Sequence, residues 1–189
     1  MTEDTAQARR NEAFARFLAR SVDSIIALPM SVLAIILITA LTGMSDALAE
    51  WSRTSVVGGL VVNFGLIIAG HMLYDLACTR MYGRTPGKWL MGLRIVSNES
   101  GKPTLKAAAI RTFLVWTVGL GLAIPFVTLV AGIFGLVSLE RNGVTFWDRK
   151  AGLKIEKRPV GPLRWGAALL IWAASMILLL GFTLSGPAA

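Results

Sequence analysis

The chain alternates long uncharged runs with short basic stretches. No side chain from residue 24 to residue 41 is charged, and an apolar helix of this length crosses a hydrocarbon core of about 30 Å at about 1.5 Å per residue. A second run, residues 56–78, is interrupted by Asn63, His71 and Asp75. A third covers residues 107–139, with Gly119, Gly121 and Pro125 near its middle, and a fourth covers 163–184. The third is long for one span and short for two, and its glycines and proline are what a turn wants. The pattern therefore predicts a hairpin of two short helices, 107–122 and 125–139, with one long tilted helix as the competing reading. Together with segments 17–42, 56–78 and 163–184 this describes an all-α integral membrane protein of four to five membrane helices. Pro29 is expected to kink the first, and residues 1–13 to form a mobile polar tail.

Charge orients these runs. Residues 79–111 hold Arg80, Arg84, Lys88, Arg94, Lys102, Lys106 and Arg111 against Glu99 alone. Residues 140–164 hold Arg141, Arg149, Lys150, Lys154, Lys157, Arg158 and Arg164 against Glu140, Asp148 and Glu156. Lysine and arginine near helix ends mark the cytoplasmic side, which places the N-terminus and both basic stretches inside and residues 43–55, expected as a loop, outside. The net charge of +8 would favour nucleic acid in a soluble chain. In a chain that is 54% hydrophobic, with its cations in loops, the expected partner is instead a bilayer with anionic headgroups, and no nucleic acid. Ala47-Leu48-Ala49 resembles a signal cleavage site, but the charged leader is too long, so a retained helix is expected.

The basic stretches echo each other. Gly83-Arg84-Thr85 is followed by Gly92-Leu93-Arg94-Ile95, and sixty residues later Gly143-Val144-Thr145 is followed at the same spacing by Gly152-Leu153-Lys154-Ile155. Each Gly-Leu-basic-Ile is β-prone and glycine-bounded, so the two are expected to pair as a small cytoplasmic β-ribbon. Lys88 and Asp148 are equivalent in this register, and a cross-pair between them is expected.

Three ordered blocks carry a family resemblance: FARFLARSVD with Phe14, Arg16 and Asp23; TPGKWLMGLRIVS from Thr85 to Ser97; and NGVTFWDRKAGLKI from Asn142 to Ile155. They resemble the RDD family of bacterial membrane proteins over roughly residues 12–157. The family's arginine and first aspartate match Arg16 and Asp23; its loop motif matches Thr85, Gly87, Lys88, Gly92, Leu93, Arg94 and Ile95. The second aspartate is assigned to Asp148, with Asp75 as the other claimant, and Gly152 follows in the same block. Lys154-Ile155-Glu156 departs from the family's usual last strand, and the helix from residue 163 lies outside the shared region. The family's activity is largely unassigned; the resemblance implies transport of a small ligand, with cation–proton exchange in some members.

The candidate chemistry lies at one end of the first two membrane helices. Arg16, Arg20 and Asp23 lie on or near one helical face; His71 and Asp75 form an i,i+4 pair at similar depth, with Asp75 the expected local partner of the histidine. These five residues form the candidate ligand, ion or proton site, the bland alternative being a structural clasp at headgroup level. Thr85-Pro86-Gly87-Lys88 is not a phosphate loop, because Tyr82 stands where the first glycine is required and Trp89 follows the lysine. Trp89 and Trp147 are expected at headgroup depth, and Gly119, Gly121, Gly132 and Gly135 as packing positions. One cysteine and one histidine exclude a disulfide and clustered metal ligation. No nucleophile–base pair is visible, so no cofactor and no enzyme activity are expected. Two readings follow: a small transporter or cation–proton exchanger, working as a homo-oligomer because few short helices enclose little volume, or a membrane scaffold binding a partner through Lys88, Trp89 and Asp148.

Overall fold

Helix α1, Glu3–Thr42, is the element on which the others assemble. The computed structural model describes residues 3–99, 101–123 and 125–185. After α1 come α2 (Ser45–Thr54), α3 (Val56–Leu60) and, through a π-helical turn at Val61–Gly65, α4 (Leu66–Tyr82). Next are α5 (Pro86–Leu90), β1 (Leu93–Ser97) and α6 (Leu105–Leu114), which runs into a second π turn at Val115–Gly119. A 3-10 turn, Gly121–Ala123, leads to α7 (Pro125–Asn142), α8 (Phe146–Lys150), β2 (Leu153–Lys157) and α9 (Pro162–Ser185). The chain is mostly helical with one two-stranded sheet. The expected β-ribbon is therefore present.

Two expectations about the N-terminal third are corrected. Residues 3–13, expected as a mobile tail, are the first turns of α1, where the Arg9 guanidinium donates to the Glu140 carbonyl of α7. Residues 43–55, expected as a loop, contain α2. The helix passes through Pro29 as one element.

The echo in the sequence is a repeat in the backbone. α4 and α7 each end at a glycine in the left-handed region, Gly83 (φ 67) and Gly143 (φ 70), a conformation that costs other residues about 1–2 kcal/mol. Their N–H groups donate to Thr79 and Leu139 at 3.0 and 2.9 Å. An extended threonine two residues on, Thr85 or Thr145, starts a one-turn helix, and a second left-handed glycine, Gly92 or Gly152, releases the chain into a strand. β1 and β2 are antiparallel with Ile95 opposite Ile155. Since these two are the equivalent positions of the repeat, a local two-fold axis passes between them. The flanking bonds obey it: Arg158 N–H to the Gly92 carbonyl at 2.9 Å, and Asn98 N–H to the Gly152 carbonyl at 3.2 Å.

The reversal between the two halves lies around residues 120–123, with Gly121 at φ 53 and Leu122 at φ 54. The Thr128 hydroxyl closes it with a 2.6 Å bond to the Leu120 carbonyl. The 107–139 run is thus two helices joined by a turn.

The apolar core is small. Ala15, Leu18 and Ala19 of α1 bury Met91, Leu93 and Ala168. The outer half of α1 does the opposite: Leu33, Ile36, Leu37 and Ile38 are each more than half exposed. One described helix, Gln7–Thr42 within α1, is long and apolar enough to cross a membrane by length and composition, and only 11% of its most apolar window is buried.

Candidate functional site

The polar residues that α1 carries meet both copies of the repeat. Asp23 faces the first. Its carboxylate accepts from the Gly87 N–H at 2.7 Å, from the Thr85 hydroxyl, and from the Tyr74 hydroxyl at 3.4 Å. Gly87 allows this approach by lacking a side chain, since a Cβ there would lie 2.0 Å from the Ala19 carbonyl oxygen. Asp23 so caps the N-terminal turn of α5 from another helix, where free N–H groups favour an anion.

Arg16 faces the second copy. Its Nη1 lies 3.1 Å from Asp148 Oδ2, and its other nitrogens hold Glu12 one turn back. Asp148 is fully buried and also accepts from Arg111 Nε at 2.7 Å and the Thr145 hydroxyl at 2.6 Å. Burial pushes its carboxyl up, but Arg111, Arg16 and the Thr145 hydroxyl together outweigh that and hold it below the usual carboxylate range.

Arg111 joins the two halves. Its Nη1 is 3.8 Å from Asp75 Oδ2, while Asp75 Oδ1 accepts from Lys88 Nζ at 2.8 Å. The network runs Glu12, Arg16, Asp148, Arg111, Asp75, Lys88, with acid and base alternating. Each charge in this network has a partner of opposite sign, which is the condition for keeping it out of water.

The expected Lys88–Asp148 pair is not formed. In an antiparallel ribbon α5 and α8 enter at opposite ends, about 14 Å apart for five residues at about 3.4 Å each. The same geometry explains the spacing on α1: seven residues rise about 10 Å, enough for Asp23 to serve α5 and Arg16 to serve α8.

Asp23 and Asp75 share a cavity of about 30 Å³ with Arg20, His71, Lys88 and Trp116. A volume of that order admits a water or a small ion, not an organic substrate. Among the described residues Trp116 Nε1 and Asp75 Oδ2 are buried without a hydrogen-bond partner. The expected His71–Asp75 pairing is not among the bonds formed. Instead His71 Nδ1 lies 2.9 Å from the Ile67 carbonyl and 3.3 Å from the Ser31 hydroxyl, and its ring meets Trp116 edge-on. A carbonyl can only accept, so this assigns the proton to Nδ1. Among the described residues no group of three His, Cys, Asp or Glu side chains could hold a metal.

Of the residues singled out from the sequence, Arg20, Asp23, His71, Asp75 and Lys88 line the cavity; Arg16 and Asp148 form the adjoining pair; Thr85 and Gly87 position Asp23. Gly92 and Gly152 shape the ribbon and stay outside the site. Trp89 is 54% exposed, with the Arg164 guanidinium 5.1 Å from its ring centre. Trp147, expected at headgroup depth, is half-buried over Gly119 and Gly135, where a Cβ would come within 3.1 and 2.8 Å of its ring. Sequence reasoning missed Arg111, Tyr74, Trp116 and Thr145. Arg111 had a signal, a lone cation inside the apolar stretch AAAIRTFLV, and Thr145 had another, its equivalence to Thr85.

Three blocks far apart in sequence thus converge on one assembly. Residues 10–152 match the RDD family. The chain belongs to that family. Arg16, Asp23, Asp75 and Asp148 all fall inside the matched region, and α9 lies beyond it. No curated protein and no solved structure matches the chain.

Proposed function

We propose that this RDD protein is a multi-pass protein of the bacterial inner membrane, N-terminus cytoplasmic, that exchanges a small cation for protons at the Asp23–Asp75–Lys88 cavity. The membrane reading is supported by the inverted distribution of polarity: large apolar side chains outside on α1, α7 and α9, and paired charges inside. The spans are 17–42, 56–78, 107–122, 125–139 and 163–184, the second pair forming a short hairpin.

The observation that carries the exchange reading is the unequal treatment of two carboxylates on one small cavity. Asp75 is neutralised by Lys88, whereas Asp23, among the described residues, is held by uncharged donors. A cation entering is attracted by both acids and repelled by Lys88 and Arg20. Asp23, which has no cationic hydrogen-bond partner among the described residues, is the carboxylate for which a proton and the cation compete. Cation binding is then linked to proton release, which is what exchange requires.

The test is flux in proteoliposomes, read with a trapped pH dye after addition of sodium or potassium. Lys88→Gln and Asp23→Asn should each lower flux at least tenfold while the protein still inserts and elutes as one species. Unchanged flux in both variants would sink the proposal. The scaffold reading loses ground because Lys88 and Asp148, two of its three contact residues, are buried.

A further inference from the structure

Asp75 spends one carboxylate oxygen on Lys88 and, among the described residues, leaves the other without a hydrogen bond. Arg111 Nη1, 3.8 Å from that second oxygen, is in the same condition. So is Trp116 Nε1, on the wall of the cavity that Asp75 also lines. All three atoms are buried, and Asp75 and Arg111 as a whole are only 6% and 2% exposed, so bulk solvent does not serve them. A polar atom left unpaired in such a place costs more than a typical made bond returns.

The chemistry of the three atoms selects the group that completes them. An indole N–H and a guanidinium N–H only donate, and an ionised carboxylate only accepts. A metal cation would suit Asp75 Oδ2 and leave both donors beside a positive charge. An anion would suit the donors and be repelled by the carboxylate. Water accepts from the donors and donates to the acid at once. The gap between Arg111 and Asp75 is wider than a hydrogen bond and of the kind one water closes. A cavity of about 30 Å³ is the share of a single molecule. Trp116 stands in the π turn Val115–Gly119, its ring edge-on to His71 at 5.6 Å, and widened turns of this kind recur at functional sites.

We propose that the Trp116–Asp75 corner of the cavity is a water site, and that its water is what an entering cation must displace. The site stands on the three unpaired atoms; the displacement rests on the exchange reading. A cavity of this size holds the water or the ion, not both. With the ion in place the indole N–H loses its acceptor and is left beside a positive charge. Trp116 is therefore a specificity residue that works against the cation. It weakens binding, so that the ion can leave as well as enter, which passage through a site requires.

The experiment uses the full chain in mild detergent, isotope-labelled at its indole nitrogens and followed by nuclear magnetic resonance. The chain has six tryptophans, and the Trp116 signal is the one lost in Trp116→Phe. In sodium-free buffer its N–H should show a cross-relaxation peak with a long-lived water. That peak should fade as sodium chloride is raised to the level that saturates flux. In proteoliposomes Trp116→Phe, which keeps an aromatic ring and drops the N–H, should lower the sodium concentration for half-maximal flux about fivefold, the worth of one hydrogen bond. A merely damaged site would raise it. Should that variant not fold, Phe variants at Trp51, Trp89, Trp147, Trp165 and Trp172 assign the signal by elimination, and the water peak and its sodium response decide. Absence of the water peak overturns the site. A peak that survives saturating sodium, or a half-maximal concentration unchanged or raised in Trp116→Phe, overturns the displacement. A water peak in a protein that carries no flux supports the site and contradicts the exchange reading, and the displacement with it.

Discussion

The two copies of the repeat share a backbone and differ in chemistry. In the first, the one-turn helix α5 offers Lys88 to Asp75 on the preceding helix. In the second, α8 offers Asp148, and the position equivalent to Asp75 is Gly135, filled by the Trp147 ring. One copy therefore needs an acid beside it, and the other needs a base. Arg111 and Arg16 answer the second need from outside that copy. Two like copies would each close on themselves. These two must share Arg111 and α1, and the sharing binds the halves together.

The comparison can be broken at several points. The largest effect is expected for Asp148→Ala, which leaves buried Arg111 with only its 3.8 Å contact to Asp75 and Arg16 with Glu12 alone. Removing one partner of such a pair costs about 3–5 kcal/mol, read as a lower detergent unfolding midpoint. A loss under 1 kcal/mol would show that the halves do not depend on this acid. Lys88→Met should cost less, about 2–3 kcal/mol, because Arg111 stays 3.8 Å from Asp75. Adding Asp75→Leu to it should recover part of that loss, since no carboxylate is then left uncompensated; strict additivity would mean the two do not interact.

Gly135→Ala probes the filled position. A Cβ there meets Trp147 Cη2 at 2.8 Å, and overpacking of this kind costs about 1–3 kcal/mol. Trp147→Phe should relieve it. The threonines make the finest comparison. Thr85 accepts from Lys88 N–H at 3.4 Å and donates to Asp23, whereas Thr145 makes no side-chain cap and serves Asp148 alone. Thr85→Val should lose about 1 kcal/mol and weaken Asp23 as well, and Thr145→Val should act chiefly through Asp148.

The Asp148 carboxylate has a pH signature of its own. Asp148 is held below the usual carboxylate range, so its contribution is present above about pH 4, the ordinary aspartate value, and is lost as the pH falls toward its depressed value in the folded state. Asp148→Asn should flatten the acid limb of an unfolding curve. An unaltered limb would assign acid sensitivity to other groups.

Much of this architecture was legible in the residues. Glycine at 83, 92, 143 and 152 marks turns because the left-handed region is open to it, and the equal spacing announced the repeat and its ribbon. The turn inside residues 107–139 was readable from Gly119 to Pro125 for the same reason. The ion network was not. Laying one copy over the other predicts that Lys88 meets Asp148, yet antiparallel pairing puts them at opposite ends of the ribbon. Arg111 looked like one more loop cation until α6 carried it between the halves.

Local conformation belongs to the chain's own covalent preferences, and the order of residues settles it: where helices stop, where strands start, which stretches shun water. Partner choice among four cations and four acids depends on distances between segments far apart in sequence. Only the folded arrangement decides it, because at separations of a few ångström within a dry interior each pairing excludes the others.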